Sequence, residues 1–385
     1  MFASCKESGC VSSSGPVSVF ADCATSTLRV IDANRNRAGE GLRVVEEYFR
    51  FVLDDPLLTR RCKQLRHDLS ALLAGIPEYR LAVSRDTTAD VGAEVEVAGE
   101  YVRRTAQSVA YSSWKRLQQA LRVLEEYAKL VSPAVAVQIE ALRYSSYTLE
   151  RCFQIADDAH RKLAKARLYV LIDASQGIEA MLCLAQALVE AGVHVLQLRD
   201  KGLSDERLVA AARGLRGVTA NQQTLFIVND RPDIALLSCA DGVHVGQEEL
   251  GVKDVRAVVG PEMLVGVSTH SIHQAREAVM VGASYLGCGP TFPSRTKQFS
   301  TFAGLEFLEE AGAEIGLPAF AIGGIDPGNV SRVLATGVRR IAVSNAVTTA
   351  TQPELVVSEL LAELSNYPLH VAQTAHASDG TEADE

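Results

Sequence analysis

Between Arg167 and Ala346 the apolar positions gather into eight short, continuous runs, and a stretch of helical period follows each one. The runs cover residues 168–173, 193–200, 225–230, 242–246, 264–269, 285–290, 319–325 and 339–345. Continuous rather than alternating apolar character predicts strands buried on both faces, and intervening helices require parallel pairing. Eight such units predict an α/β fold of the closed (β/α)₈ TIM-barrel type, with its chemistry at the carboxyl ends of the strands. Nearly every run ends on polar residues or glycine, so these ends converge on one mouth.

Upstream the period changes. From about residue 28 to 165 it is helical almost throughout, in segments 28–53, 57–74, 99–130 and 134–165. Pro56 and Pro133 each suit the first turn of a new helix. The stretch 75–98 reads as a long ordered loop. Leu42-Arg43-Val44-Val45-Glu46-Glu47-Tyr48 recurs as Leu121-Arg122-Val123-Leu124-Glu125-Glu126-Tyr127, and Leu65-Arg66 as Leu142-Arg143. This predicts a duplicated helical hairpin, an all-α four-helix domain ahead of the barrel. One reading of the repeat is a shared packing solution, with Leu, Val and Tyr inward and Arg and Glu solvated. The other is an anion site. The first copy alone carries Asn34-Arg35-Asn36-Arg37 with Gly39 and Gly41 inside the helix, opposite Arg66, His67 and Asp68. The expected organisation is a flexible leader (1–26), a helical domain (27–165), the barrel (166–366) and a disordered acidic tail (367–385). The junction at 161–167 holds neither Gly nor Pro, so the fourth helix is expected to run almost directly into the first strand.

Composition narrows the function classes. No apolar run approaches the roughly 18 residues that span a bilayer, and no basic segment leads into an apolar one as in a signal peptide. Eight cysteines are scattered without a C-x-x-C pair, which suits reduced thiols in a cytoplasmic protein. A net charge of −9 argues against nucleic acid as partner but leaves room for anionic small molecules held by a local basic cluster.

The strand ends supply such clusters. Gln197, Arg199 and Lys201 alternate and point to one side, suiting a polar heterocycle and a phosphate. Asn229-Asp230, with Gln247-Glu248-Glu249 after the fourth strand, places two carboxylates where they can share Mg²⁺; helix N-capping is the competing role. The polar, basic stretch 289–297 suits a loop closing over an anion. Gly323-Gly324 and Val343-Ser344 suit the phosphate site that barrels build after strands seven and eight. Two anion pockets and a cation with no evident nucleophile point to electrostatic catalysis of diphosphate departure.

Together, Gln197-Leu198-Arg199-Asp200-Lys201, Ile227-Val228-Asn229-Asp230, Asp241–Gln247, Gly266–His270, Gly289-Pro290, Thr296-Lys297 and Ile322–Ile325 resemble the thiamine-phosphate synthase family over about residues 165–365. The resemblance implies condensation of a hydroxymethylpyrimidine diphosphate with a thiazole phosphate. By position it implies that Gln197, Arg199, Lys201, Asn229 and Lys297 hold the pyrimidine diphosphate, and that Ser268 lines the pyrimidine pocket. It gives Asp230 and Glu249 to Mg²⁺, and Ser294, Thr296, Gly324, Val343 and Ser344 to the thiazole phosphate. Arg199, Lys201, Ser268 and Lys297 are the expected catalytic groups. Two positions depart from the family: Asp200 stands where Glu is usual, and Glu249 where Asp is usual. The helical half resembles the extension of fused, cyanobacterial-type members, and also a ThiD-like family proposed to phosphorylate the pyrimidine monophosphate, although no Walker-type loop is present. Rival readings are a thiazole tautomerase using His270 and a phosphate-ligand sensor. Barrels of this type often self-associate, which makes a homo-oligomer a further expectation.

Overall fold

Helical period and strand-like runs both translate into elements in the computed structural model, which describes residues 23–86, 103–293 and 303–369. Most of the expected leader, residues 87–98 of the expected loop, Ser294, Thr296 and Lys297, and most of the acidic tail lie outside the described residues. The helices of the amino-terminal part are α1 (Thr25–Phe51), α2 (Pro56–Leu73), α3 (Glu78–Ser84), α4 (Ala106–Ala128) and α5 (Pro133–Lys162). α3 falls within the stretch read as loop. Its seven residues are too few to show a period, yet Leu81 and Ser84 are buried.

By contact the chain forms two compact units, one of residues 1–45 with 62–147 and one of 46–61 with 148–385. The first is a helix bundle. Ile31, Ala38 and Leu42 on α1, Leu65, Leu69 and Leu73 on α2, and Trp114, Leu117, Leu121 and Leu124 on α4 are all buried, at the three- and four-residue spacing of one helix face. Gly41 lets α4 approach: a Cβ there would lie 3.1 Å from the Ser113 carbonyl and 3.2 Å from Leu117 Cβ. Gly39 has open space around it, so close approach explains one of the two glycines. In the second copy of the repeat, Glu125 and Arg143 are buried and paired rather than solvated as the repeat suggested: Glu125 receives the Arg143 Nε at 2.7 Å and Arg122 at 2.7 Å. Asp32 is buried on α1 and takes both Arg85 Nε and a terminal guanidinium nitrogen, at 2.6 and 2.9 Å.

The second unit is a closed barrel with its attendant helices. In chain order its elements are β1 (Leu168–Ile172), α6 (Ile178–Glu190), β2 (Val195–Leu198), α7 (Asp205–Thr219), β3 (Leu225–Asn229), α8 (Pro232–Leu237), β4 (Gly242–Val245) and α9 (Val252–Val259). There follow β5 (Leu264–Thr269), α10 (Ile272–Val281), β6 (Tyr285–Cys288), α11 (Gly304–Glu314), β7 (Ala319–Ile322), α12 (Val330–Ala335), β8 (Ile341–Val343), α13 (Asn345–Thr348) and α14 (Pro353–Ser365). The eight strands pair in parallel in sequence order, and β8 returns to β1. The strands are shorter than the apolar runs because their last residues turn into the mouth. α12 begins at Val330, later than Asp326-Pro327 suggest, because residues 326–329 form a turn held by the Gly328 and Val330 amides on Asp326.

Tyr169, Val195, Ile227, Leu264, Tyr285, Phe320 and Ala342 fill the barrel, with Leu163 and Ala166 packed into the same core just ahead of β1. Arg340, from the edge of β8, donates to the carbonyls of Leu163 and Ala166. The residues that follow α5 thus plug the amino-terminal end of the barrel. In the same unit, the Tyr48 hydroxyl donates to Asp157 at 2.6 Å and Phe49 packs on Phe153 at 6.3 Å.

Asp55 caps α2 through its Oδ1 on the Leu58 amide, and its Oδ2 is buried without a partner, close against Gly316. Burial pushes its carboxyl up to about 6, against the pull of the Leu58 and Leu57 amides. The folded chain therefore holds this proton more tightly than the unfolded chain, where the group titrates near 3.8. Its contribution is most favourable below pH 4 and declines as pH rises to about 6, a loss of the order of 3 kcal/mol at neutral pH. Asp55→Asn keeps the cap and removes the charge. Calorimetric melting is expected to show a more stable protein at pH 7 and a flatter pH dependence between pH 4 and 6.

Candidate active site

The polar residues that end the strands gather at the carboxyl rim of the barrel. β2 contributes Gln197, which is 2% exposed and donates from Nε2 to the Tyr169 hydroxyl at 2.7 Å. Its Oε1 is buried and has no partner. Arg199 and Lys201 follow the strand. Between them Asp200 accepts three backbone amides, from Ala174 at 3.0 Å, Gly202 at 2.8 Å and Leu203 at 3.0 Å. Aspartate at this position shapes the loop that carries its two cationic neighbours.

Lys201 joins the next two strand ends. Its Nζ lies 3.2 Å from Asp230 Oδ2 and 3.5 Å from Glu249 Oε1. Asp230 chiefly, and Glu249 after it, raise the lysine's proton affinity. Asp230 follows Asn229 at the end of β3 with φ of +60°, and its amide donates to the His244 carbonyl at 2.8 Å. Aspartate tolerates this left-handed backbone better than most residues other than glycine. Glu249 folds back over Gly246, where a Cβ would collide with its carboxylate. Glu249 and Asp230 thus both approach the Lys201 ammonium.

Ser268, on β5, meets His244 of β4: Nε2 to Oγ is 3.0 Å. The other ring nitrogen, Nδ1, lies 3.3 Å from the Tyr285 hydroxyl, which lies 3.1 Å from that of Tyr169. Sequence reasoning assigns none of these three a role of its own, His244 entering only as part of the Asp241–Gln247 motif. Tyr169 and Tyr285 stand inside apolar runs and read as core. The available signal was Gly266, a glycine within a strand: a Cβ there would overlap both Tyr285 and His244. Burial, aided by Arg199, pushes the His244 imidazole down to about 4. Burial also raises the Tyr169 and Tyr285 hydroxyls well above their ordinary range.

The last two strands form the other half of the rim. Gly323 and Gly324 follow β7 with φ of +107° and +64°, a conformation glycine adopts without strain. Residues beyond the cis Gly289-Pro290 bond pair with this turn, through the Thr291 amide on Ile322 at 2.9 Å and the Phe292 amide on Gly323 at 3.0 Å. Asn329 pins the Gly324 carbonyl at 2.8 Å. Val343 ends β8, and Ser344 just beyond it donates to the Leu171 carbonyl at 3.2 Å. Gly324, Val343 and Ser344 thus sit together at adjacent strand ends. His270 donates from Nδ1 to the Gly289 carbonyl at 2.5 Å.

Among the described residues no cluster of three or more His, Cys, Asp or Glu side chains could hold a metal, and no helix is long and apolar enough to cross a membrane. All six described cysteines are free thiols.

The chain is similar to known proteins along most of its length. Residues 168–347 match the thiamine monophosphate synthase family model, and residues 29–152 match the ThiD2 family. A thiamine-phosphate synthase of Rhodopirellula baltica is 47% identical over 84% of this chain and 88% of its own length. One from Gloeobacter violaceus is 42% identical over 88% of this chain and 97% of its own. A solved thiamine phosphate pyrophosphorylase of Pyrococcus furiosus is 32% identical, covering 54% of this chain and 98% of its own, with a TM-score of 0.49. With strand ends, barrel and near full-length relatives in agreement, the chain belongs to the thiamine-phosphate synthases, in the fused form that carries a helical ThiD2 segment ahead of its barrel.

Proposed function

We propose that this transferase joins 4-amino-5-hydroxymethyl-2-methylpyrimidine diphosphate to 4-methyl-5-(2-phosphoethyl)thiazole, giving thiamine phosphate and diphosphate. The observation that carries the reading is Lys201 set between Asp230 and Glu249 beside buried Gln197, a polar heterocycle site adjoining a site for a charged, cation-bound leaving group. Gln197, Asn229 and Ser268 orient the pyrimidine. Arg199, Lys201 and Lys297 neutralise the charge that grows on the leaving diphosphate oxygen as the carbon–oxygen bond breaks. The electron pair departs with diphosphate, and the thiazole nitrogen's lone pair forms the new carbon–nitrogen bond. Ser294, Thr296, Gly324, Val343 and Ser344 hold the thiazole phosphate so that this nitrogen faces the pyrimidine-methyl cation that dissociative loss of diphosphate leaves behind.

Two hard carboxylates that address one point suit Mg²⁺, which keeps several waters and needs one or two such ligands. Asp230 and Glu249 would hold it, and when bound it supplies positive charge to the diphosphate. Lys201 stands between the same two carboxylates and adds its own positive charge there.

Mixing both substrates with Mg²⁺ and measuring diphosphate and thiamine phosphate tests the reading. One diphosphate per thiamine phosphate is expected. A tautomerase or a sensor releases none.

A further inference from the structure

The Ser268–His244–Tyr285–Tyr169–Gln197 contacts form a single chain inside the barrel, and its two ends rise toward the mouth. Tyr169 pairs in register with Val195, and Gln197 lies two residues beyond. His244 pairs with Gly266, which pairs with Tyr285, and Ser268 lies two residues beyond Gly266. Residues two apart share a face, so both ends stand about 6–7 Å nearer the carboxyl rim than the middle of the chain.

We propose that Tyr169, Tyr285 and His244 are positioning residues that run this chain in one direction, so that Gln197 offers the pyrimidine an acceptor and Ser268 offers it a donor. The direction follows from donor counting. Gln197 Nε2 can only donate, so the Tyr169 oxygen accepts and spends its single hydrogen on Tyr285. Tyr285 in turn donates to His244 Nδ1. Both imidazole nitrogens face hydroxyl groups in a buried setting, which suits the neutral ring. With Nδ1 accepting, the ring hydrogen sits on Nε2 and goes to Ser268 Oγ. The Ser268 hydrogen is then left to point outward, while at the other end Gln197 Oε1 is buried and unpartnered. A 4-aminopyrimidine presents the complement, an amino donor beside a ring-nitrogen acceptor. A 4-oxopyrimidine presents the reverse, a carbonyl acceptor beside a ring N–H, and leaves like groups facing at both ends.

This inference rests on the pyrimidine site proposed above, and its test reads binding rather than turnover. Calorimetry on the full chain would compare 4-amino-5-hydroxymethyl-2-methylpyrimidine diphosphate with its 4-oxo counterpart, in wild type, Tyr285→Phe and Tyr169→Phe. Wild type is expected to favour the amino compound by at least about 100-fold, since a site built for hydrogen bonds rejects a ligand that leaves them unpaired. Each Phe variant cuts a link, and the ratio is expected to fall at least about tenfold as polarity ceases to be enforced. The rings remain to pack at 5.3 and 5.7 Å from Phe320, so melting temperatures stay near wild type. If one variant fails to fold, the other breaks the same chain elsewhere. A ratio unchanged in the variants, or a wild type that prefers the oxo compound or does not discriminate, overturns the inference. Discrimination without diphosphate release when the thiazole is added would defeat the synthase reading and leave the chain standing. Failure to bind either compound would overturn both.

Discussion

Asp230→Asn is expected to lower turnover by about 10²–10³-fold, the scale of removing one preorganised electrostatic group. Asparagine tolerates the left-handed backbone at this position almost as well as aspartate, so φ of +60° is retained and only charge is lost. That loss has two parts. The proposed cation site keeps a single carboxylate, Glu249. Lys201 also loses the nearer of its two anchors, at 3.2 Å, and keeps the one at 3.5 Å. The defect should appear in the rate at saturating pyrimidine diphosphate and be partly relieved by raising Mg²⁺. Initial-rate measurements of diphosphate release across a Mg²⁺ series check this. Wild-type rates at every concentration would remove Asp230 from the mechanism.

Gly266→Ala is expected to be the more disruptive change, although it adds one methyl group. The new Cβ would overlap buried Tyr285 and half-buried His244, on the strands flanking β5. Neither can retreat easily. Tyr285 is 1% exposed and packs against Phe320, Tyr169 and His244. Overpacking of this kind costs about 1–3 kcal/mol, occasionally more, and each kcal/mol lowers the melting temperature of a domain this large by roughly 2–4 °C. Displacing His244 also detaches Ser268, so activity should fall further than the stability loss explains. Thermal melts paired with kcat and KM for the pyrimidine substrate separate the two effects. An alanine variant that melts and turns over like wild type would show that the barrel interior is looser than its packing indicates.

The barrel was legible because strands buried on both faces leave continuous apolar runs, and nothing else in the chain imitates eight of them in order. The rim residues were legible for a related reason. Gln197, Arg199, Lys201, Asn229 and Asp230 interrupt apolar runs where a strand ends, and polarity there needs a use. What sequence did not disclose depends on contacts across strands. Tyr169 and Tyr285 read as bulk hydrophobes because a hydroxyl announces nothing until its partner is placed. Glu249, the departure from the family at the proposed cation site, shows its approach to Lys201 only through that contact and the absent side chain of Gly246. Asp200, likewise a departure, gains its meaning from three backbone amides, one of them across the loop after β1. In the helical half, the ambiguity between packing and binding resolved for Glu125 and Arg143, whose buried pairing is a tertiary fact.

The plug at the foot of the barrel bears on how a fused chain of this kind can be divided. The family models meet between residues 152 and 168, a natural place to imagine a seam. Yet Leu163 and Ala166 belong to the barrel core, Arg340 is tied to their carbonyls, and residues 46–61 and 148–167 count with the barrel rather than the bundle. A barrel separated at the seam would lose its floor and leave a guanidinium without acceptors. The helices that carry one family's signature also supply the other's structural closure. A recombination event that exchanged the segment ahead of β1 for a homologue's would have to bring matching residues at the ends of α1 and α5 as well, since both count with the barrel.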